Sequence, residues 1–347
     1  MKKYLLLSFV TLQCALLNAQ IKNDQQPFLT KPLKGESVSN VKVETSGGSI
    51  SVTGVNDAES RIEVYVSPNN SKNKLSDAEI KKRIDEDYEL NISVSNNRVT
   101  AIARPKDRSM NWKKALNISF KVFVPKNVST ELGTSGGSIH LADIRGTQDF
   151  TTSGGSLHVE NVSGKILGKT SGGSIHLQGA NDDINLSTSG GSIEANHCHG
   201  DMKLATSGGS LRLQDLQGSV NASTSGGSVH ANNIHGELYA HTSGGNVFLK
   251  DLYCSLETST SGGNIDVAIT ELGKFVRIDN SSGNVDLQIP KNSAVNLRLR
   301  ADKIKTGTLN NFQGTAEEDN IIGKLNGGGI PVTVNAGSGR IQLAFKD

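Results

Sequence analysis

Thr206-Ser207-Gly208-Gly209-Ser210-Leu211-Arg212-Leu213-Gln214-Asp215-Leu216-Gln217-Gly218-Ser219-Val220-Asn221-Ala222-Ser223 decides the architecture, because the next residue, Thr224, starts the same pattern again. Thr-Ser-Gly-Gly begins at Thr134, Thr152, Thr170, Thr188, Thr206, Thr224, Thr242 and Thr260, giving seven successive intervals of eighteen residues, with an isolated copy at Thr45. Looser copies at Asn280-Ser281-Ser282-Gly283 and around Gly337-Ser338-Gly339 carry the array on. A fixed period of this size is the sequence signature of stacked repeats.

Within the period the apolar residues Leu211 and Leu213, then Val220 and Ala222, are spaced by two, which is strand alternation and not the three-and-four spacing of a helix. Each period therefore holds two short strands, Ser210 to Leu213 after the Gly-Gly and Ser219 to Thr224 leading into the next copy. The corner between them usually carries glycine, as at Gly146, Gly164, Gly200, Gly218 and Gly236. Glycine at both bends fits a coil so tight that it needs positive φ or close backbone approach. Replacing Gly208 and Gly209 with alanine is thus expected to strain the array. By parity each repeat Thr points inward, where a column of hydroxyls can satisfy itself and the turn amides. One copy is too small to close a core, and stacking supplies both the ladder hydrogen bonds and the missing burial. The fold class that follows is all-β: a single-domain parallel β-solenoid of 18-residue coils with strand-rich capping segments and one short helix.

Working outward, residues 134–289 form the regular solenoid, residues 21–133 the first coil plus an N-terminal strand and helix cap, and residues 290–347 the closing coils and C-terminal cap. In the first flank, Arg61 to Val66, Glu89 to Val94, Val99 to Ala103 and Ile118 to Val124 alternate like strands, and Asn96-Asn97 reads as a hairpin turn. Ser76-Asp77-Ala78-Glu79 is a capping box opening a helix to about Asp87. Strands Val295 to Arg300 and Ile341 to Phe345 are expected in the last flank. Residues 1–20 read as a secretory signal peptide, with Lys2 and Lys3 before the apolar stretch Tyr4 to Leu17 and a small-residue cleavage site at Asn18-Ala19-Gln20. The expected location is outside the cytoplasm, in the periplasm, on the outer cell surface or secreted, with no membrane span after cleavage.

Composition removes other classes. Among 347 residues there are 38 Gly and only 7 Pro, with no Gly-X-Y triplet, so the glycine excess is not collagen. The 36 Lys and Arg against 34 Asp and Glu leave a formal charge of +2, and the array itself is acidic, with 8 basic residues against 15 acidic ones in residues 134–289. An acidic, aromatic-poor surface is wrong for nucleic acid.

The outward position of the first strand forms the most suggestive column: His140, His158, His176, Glu194, Arg212 and His230, continued by Phe248, Asp266 and Asp286. Consecutive histidines would stand ~4.8 Å apart. A flat column nevertheless lacks the convergence of a tetrahedral metal site, so the reading is an exposed binding ladder, and no metal or cofactor is expected. In His197-Cys198-His199 the cysteine falls on a corner position held elsewhere by Ile144, Val162, Leu216 and Ile234, which makes it a buried hydrophobe flanked by outward histidines. Cys254 lies three coils away, at ~14 Å, so no disulfide is expected with Cys198. The Ser-Gly-Gly-Ser turn contains no acid for calcium. Catalysis would require a recessed acid and base cluster with aromatic platforms, whereas the only adjacent acidic pair of the array, Asp182-Asp183, sits at a bend. The chain reads as no enzyme.

Ser46-Gly47-Gly48-Ser49-Ile50-Ser51-Val52, the segment Phe120-Lys121-Val122-Phe123-Val124-Pro125 before the array, the Thr-Ser-Gly-Gly-Ser-Ile coils and the closing Gly337-Ser338-Gly339-Arg340-Ile341-Gln342-Leu343 together resemble the bacterial putative-adhesin family. That resemblance covers nearly all of the chain after the leader and implies an exported β-solenoid with a role in surface attachment or the cell envelope, and with no catalytic residues to carry over. The expected function is a non-enzymatic adhesion or interaction module whose partner is an envelope or extracellular surface ligand, glycan or protein. The alternatives are a self-associating structural envelope protein and, more distantly, a carbohydrate-active solenoid enzyme.

Overall fold

A computed structural model describes residues 26–69, 75–107 and 115–346. Residues 1–20, read above as a signal peptide, lie outside the described residues. Among the described residues, apart from one helix, Asp77–Asp87, and a single 3-10 turn, Asp57–Glu59, the regular structure is strand throughout.

The period becomes the register. Strands Ile139–Ala142, Leu157–Glu160, Ile175–Gln178 and Ile193–Asn196 form one parallel ladder, and Arg145–Thr152, Ser163–Thr170, Asn181–Thr188 and His199–Thr206 form a second. From Leu211 onward the two strands of each coil run together as Leu211–Ser223, Val229–His241, Val247–Thr260 and Ile265–Asn280. Partners in the regular region are eighteen residues apart, as in Leu157 with Ile175, Ile184 with Met202 and Val220 with Leu238. The inward residues of both strands make one continuous buried core along the array.

The bends carry most of the polar chemistry. Each repeat Thr is buried, and its hydroxyl faces the turn instead of its neighbouring hydroxyls. Thr206 Oγ1 donates to the carbonyl of Gly191 in the preceding coil at 2.7 Å and accepts from the amide of Gly209 at 3.2 Å. The same pair of bonds recurs from Thr134 to Thr260. Where the spacing lengthens, Asn280 replaces the Thr, and its Nδ2 donates to Gly263 at 2.9 Å. The Ser after Gly-Gly forms a second column: the amide of Ser210 donates to Ser192 Oγ at 3.2 Å, and Asn246 and Asn264 continue the series with side-chain carbonyls.

The two glycines of each pair are not equivalent. A Cβ at Gly209 would lie 2.0 Å from the carbonyl oxygen of Gly191, whereas at Gly208 the nearest atom, Gly190 O, would be an ordinary 3.5 Å away. Neither has positive φ. The expectation that both are strained is therefore corrected: only the second is required, by the backbone stacked beneath it. Positive φ belongs to the opposite bend, at Gly146, Gly164, Gly200, Gly218 and Gly236 and, three residues before each, at a left-handed Asp143, Asn161, His197, Asp215 and Asn233. Asn and Asp tolerate this conformation better than most side chains.

At both ends the chain leaves its sequential order. The first coil, Asn40–Thr45 and Ile50–Val55, sits between the strands Ser129–Thr134 and Ile139–Ala142 on one side and Arg98–Pro105 and Leu116–Pro125 on the other. The insertion thus supplies a complete outer coil and seals it with antiparallel strands Tyr88–Ser95, Arg61–Pro68 and Leu29–Pro32. Asn96 and Asn97, both at positive φ, make the hairpin turn, and Ser76 caps the helix by accepting from Glu79 N. At the other end the strand Val295–Thr306 lies one layer beyond Ile330–Lys346, which returns to fill the gap between it and the strands ending at Asn280 and Pro290. The antiparallel strands Asn320–Leu325 and Phe312–Ala316 close the stack.

Candidate functional site

The ladder read from the sequence is present in register. His140, His158, His176, Glu194, Arg212, His230, Phe248 and Asp266 are successive partners on parallel strands, with Asp286 next. The alternation that buries Leu157 and Val159 turns His158 outward, so one pleat builds the core and the ladder together.

Close stacking sets the chemistry. The His158 and His176 rings stack at 5.0 Å with planes 10° apart, and His140 lies 6.2 Å from His158 at 41°. Stacked rings present faces to each other, so their nitrogens do not converge on a common point. Among the described residues no cluster of three or more His, Cys, Asp or Glu is arranged to hold a metal. His176 Nδ1 is 3.2 Å from Glu194 Oε2, and Arg212 donates to Glu194 Oε1 at 3.4 Å, which ties the histidines to the charged rungs. Partial burial lowers the His158 pKa, and positive charge on His176 and His140 would lower it further. Burial, with help from Arg212, does the same at His230, whose ring stacks on Phe248 at 5.0 Å.

The depression over the histidines and Glu194 encloses about 180 Å³, well under the ~300 Å³ at which ligand pockets begin. The ladder is a surface to lie against and not a cleft to enter. A second stack, His235 on Tyr253 at 4.5 Å with planes 1° apart, was not singled out from the sequence, although the same interval of eighteen separates the two residues.

The other candidates resolve as packing. Cys198 is buried, donates to Asn196 O at 3.1 Å, and has a thiol whose pKa is raised by desolvation. His197 takes the left-handed corner position, with Nε2 3.3 Å from Asp215 Oδ2. Cys254 is buried in the glycine column, aligned with Gly236, and desolvation pushes its thiol up to about 12. Both are free thiols. Asp182 is occupied in the bend, accepting from Gly164 N at 2.9 Å.

No helix among the described residues is long and apolar enough to cross a membrane. No curated protein matches the chain. Two solved structures align over most of its length. A putative cell adhesion protein from Clostridium sporogenes is 15% identical, with 92% of this chain and 98% of that one covered and a TM-score of 0.20. A putative adhesin from Bacteroides fragilis is 13% identical, with 91% and 96% covered and a TM-score of 0.29. The sequence from residue 177 to residue 344 matches the Toastrack DUF4097 family, and that stretch carries a Toastrack domain.

Proposed function

We propose that the chain is a non-enzymatic, exported cell-envelope solenoid that adheres to a surface ligand, glycan or protein, through the lateral face bearing His140, His158, His176, Glu194, Arg212 and His230. The observation that carries this reading is the unbroken in-register column of rings and charges on a flat parallel ladder. Parallel strands hold such rungs at a fixed ~4.8 Å spacing, so a repeating partner meets a repeating surface with little reordering of side chains. The test is retention of the protein on glycan arrays and envelope fractions, with and without chelator. Retention should survive chelation and fall when His158, Glu194 and Arg212 are changed to alanine together; no retention on any surface would remove the reading.

Self-association is the second reading. Large apolar side chains are exposed at both caps, Phe28 at 37% and Leu29 at 41% at one end and Ile322 at 45% at the other. Light scattering on the chain without its leader separates the two, since a strict monomer at high concentration would exclude the polymer.

A further inference from the structure

The regular spacing ends at the bend that carries the positive-φ glycines. From Thr260 to Asn280 the interval is twenty residues instead of eighteen. The extra length enters beside Cys254, where Gly273, Lys274 and Phe275 stand opposite the single Ser255. Against this bulge lies a hollow of about 500 Å³, inside the ~300–1,000 Å³ range of small-ligand sites.

Its floor is bare backbone: Gly218 and Gly236 line it without side chains, and Cys254, next in their column, is buried. One wall is the half-buried ring of Tyr253. His235 covers one face of that ring at 4.5 Å with planes 1° apart, and the other face turns toward the next rung of the column, Glu271, which carries no ring. The stack thus ends on an aromatic face at the edge of the hollow. Neither the Tyr253 hydroxyl nor the Glu271 carboxylate has a hydrogen-bond or ion-pair partner among the described residues. The opposite wall is fixed: Lys274 Nζ pairs with Glu237 Oε1 at 3.1 Å, Glu237 Oε2 accepts from the Tyr239 hydroxyl at 3.3 Å, and the Lys274 amide donates to Ser255 Oγ at 2.9 Å.

We infer that this hollow binds a neutral saccharide, one pyranose ring lying on the open face of Tyr253 with its hydroxyls donating to Glu271 and accepting from Lys274. The sugar ring would extend the stack of His235 and Tyr253 by one layer, where the column supplies no ring of its own. A carboxylate only accepts and an ammonium only donates, so the pair matches hydroxyls, which do both. Two carboxylates against one ammonium in the lining, Glu237 and Glu271 against Lys274, disfavour an anionic ligand, and Lys274 disfavours a cationic one. The site lies five residues along the coil from the lateral ladder, as His235 does from His230, and the inference does not depend on the ladder's role.

The experiment is titration of the full chain with maltose, cellulose and mannan oligosaccharides, and with galacturonate and chitosan oligosaccharides as the anionic and cationic counterparts. At least one neutral sugar should bind more tightly than both charged ones, with little change as ionic strength shortens the screening length. Tyr253→Leu should weaken that binding by about threefold to tenfold, the range for one stacked ring. Glu271→Gln should weaken it by about fivefold, the difference between a charged and a neutral acceptor. Glu271 is exposed, so its variant should keep the wild-type melting curve. Changing His158, Glu194 and Arg212 to alanine together should leave the titration as it was. Absence of binding by all three neutral sugars, equal or tighter binding of either charged one, or indifference to both Tyr253→Leu and Glu271→Gln would each overturn the site. Sugar binding lost with the ladder triple and unmoved by Tyr253→Leu and Glu271→Gln would overturn this hollow alone. The converse pattern, with retention on envelope fractions indifferent to the ladder triple, would overturn the lateral-face reading alone.

Discussion

The middle of the molecule and its two ends obey different rules. Between Thr134 and Thr242 a residue's partner in space is the residue eighteen further on, and each coil repeats the ladder of the one before. At the ends that order is broken: residues 98–125 lie outside residues 40–55, and residues 295–306 lie outside residues 330–346. Translation extends a solenoid but cannot finish it, because the last translated coil always presents an open edge. Here each end stops with antiparallel strands that the repeat cannot continue.

The comparison breaks first at the returning strand. Ending the chain after Gly329 removes the strand that fills the gap between two layers, and should expose both to proteolysis and aggregation while leaving the coils from Thr134 to Thr224 protected. Limited proteolysis with light scattering checks this, and uniform loss of protection would mean that the ends and the middle are one cooperative unit. Within the middle, Gly209→Ala should cost about 3 kcal/mol, the upper range for a side chain forced into a filled space, and Gly208→Ala less than about 0.5 kcal/mol; denaturant unfolding should separate the two. Thr206→Val keeps the shape but leaves the Gly191 carbonyl and the Gly209 amide without their shared hydroxyl, at about 1–2 kcal/mol.

A smaller effect should appear with pH. The folded-state pKa of His158 is lowered from the ordinary 6.5 by burial and by its histidine neighbours, so the unfolded chain takes up the proton first. Stability is then complete above the ordinary histidine range and falls as the pH drops through it. The melting temperature should decline on acidification, and His158→Asn should flatten that decline. The smallest effect is expected for His158→Ala at neutral pH, within about 0.5 kcal/mol of wild type.

What could be read in the chain follows the same division. Residues 134–260 were legible because their contacts repeat at one interval, so the ladder from His140 to His230 followed from counting. Asn96-Asn97 and the Ser76 cap were legible because turn and cap chemistry is local. The stacking order at the ends was not, since nothing within Val295 to Thr306 or Ile330 to Lys346 records which of them lies outermost. The roles of the two glycines were hidden for a related reason: Gly208 and Gly209 differ only in what lies one coil below. A cleft lined by residues 291–292, 305–308, 325–326 and 342–345 was invisible as well, because these segments are brought together only by the return of the final strand.

That returning strand also sets how the molecule would carry a mechanical load. Ile330–Lys346 is hydrogen-bonded on both sides, to residues 276–290 and to residues 295–306. A pull along the strand from Lys346 must slide it past both neighbours, so its bonds resist together and not one after another. An array tethered there would hold tension in shear, with two ladders sharing the force, whereas its outermost strand, Phe312–Ala316, bonded along one side to Asn320–Leu325, would peel.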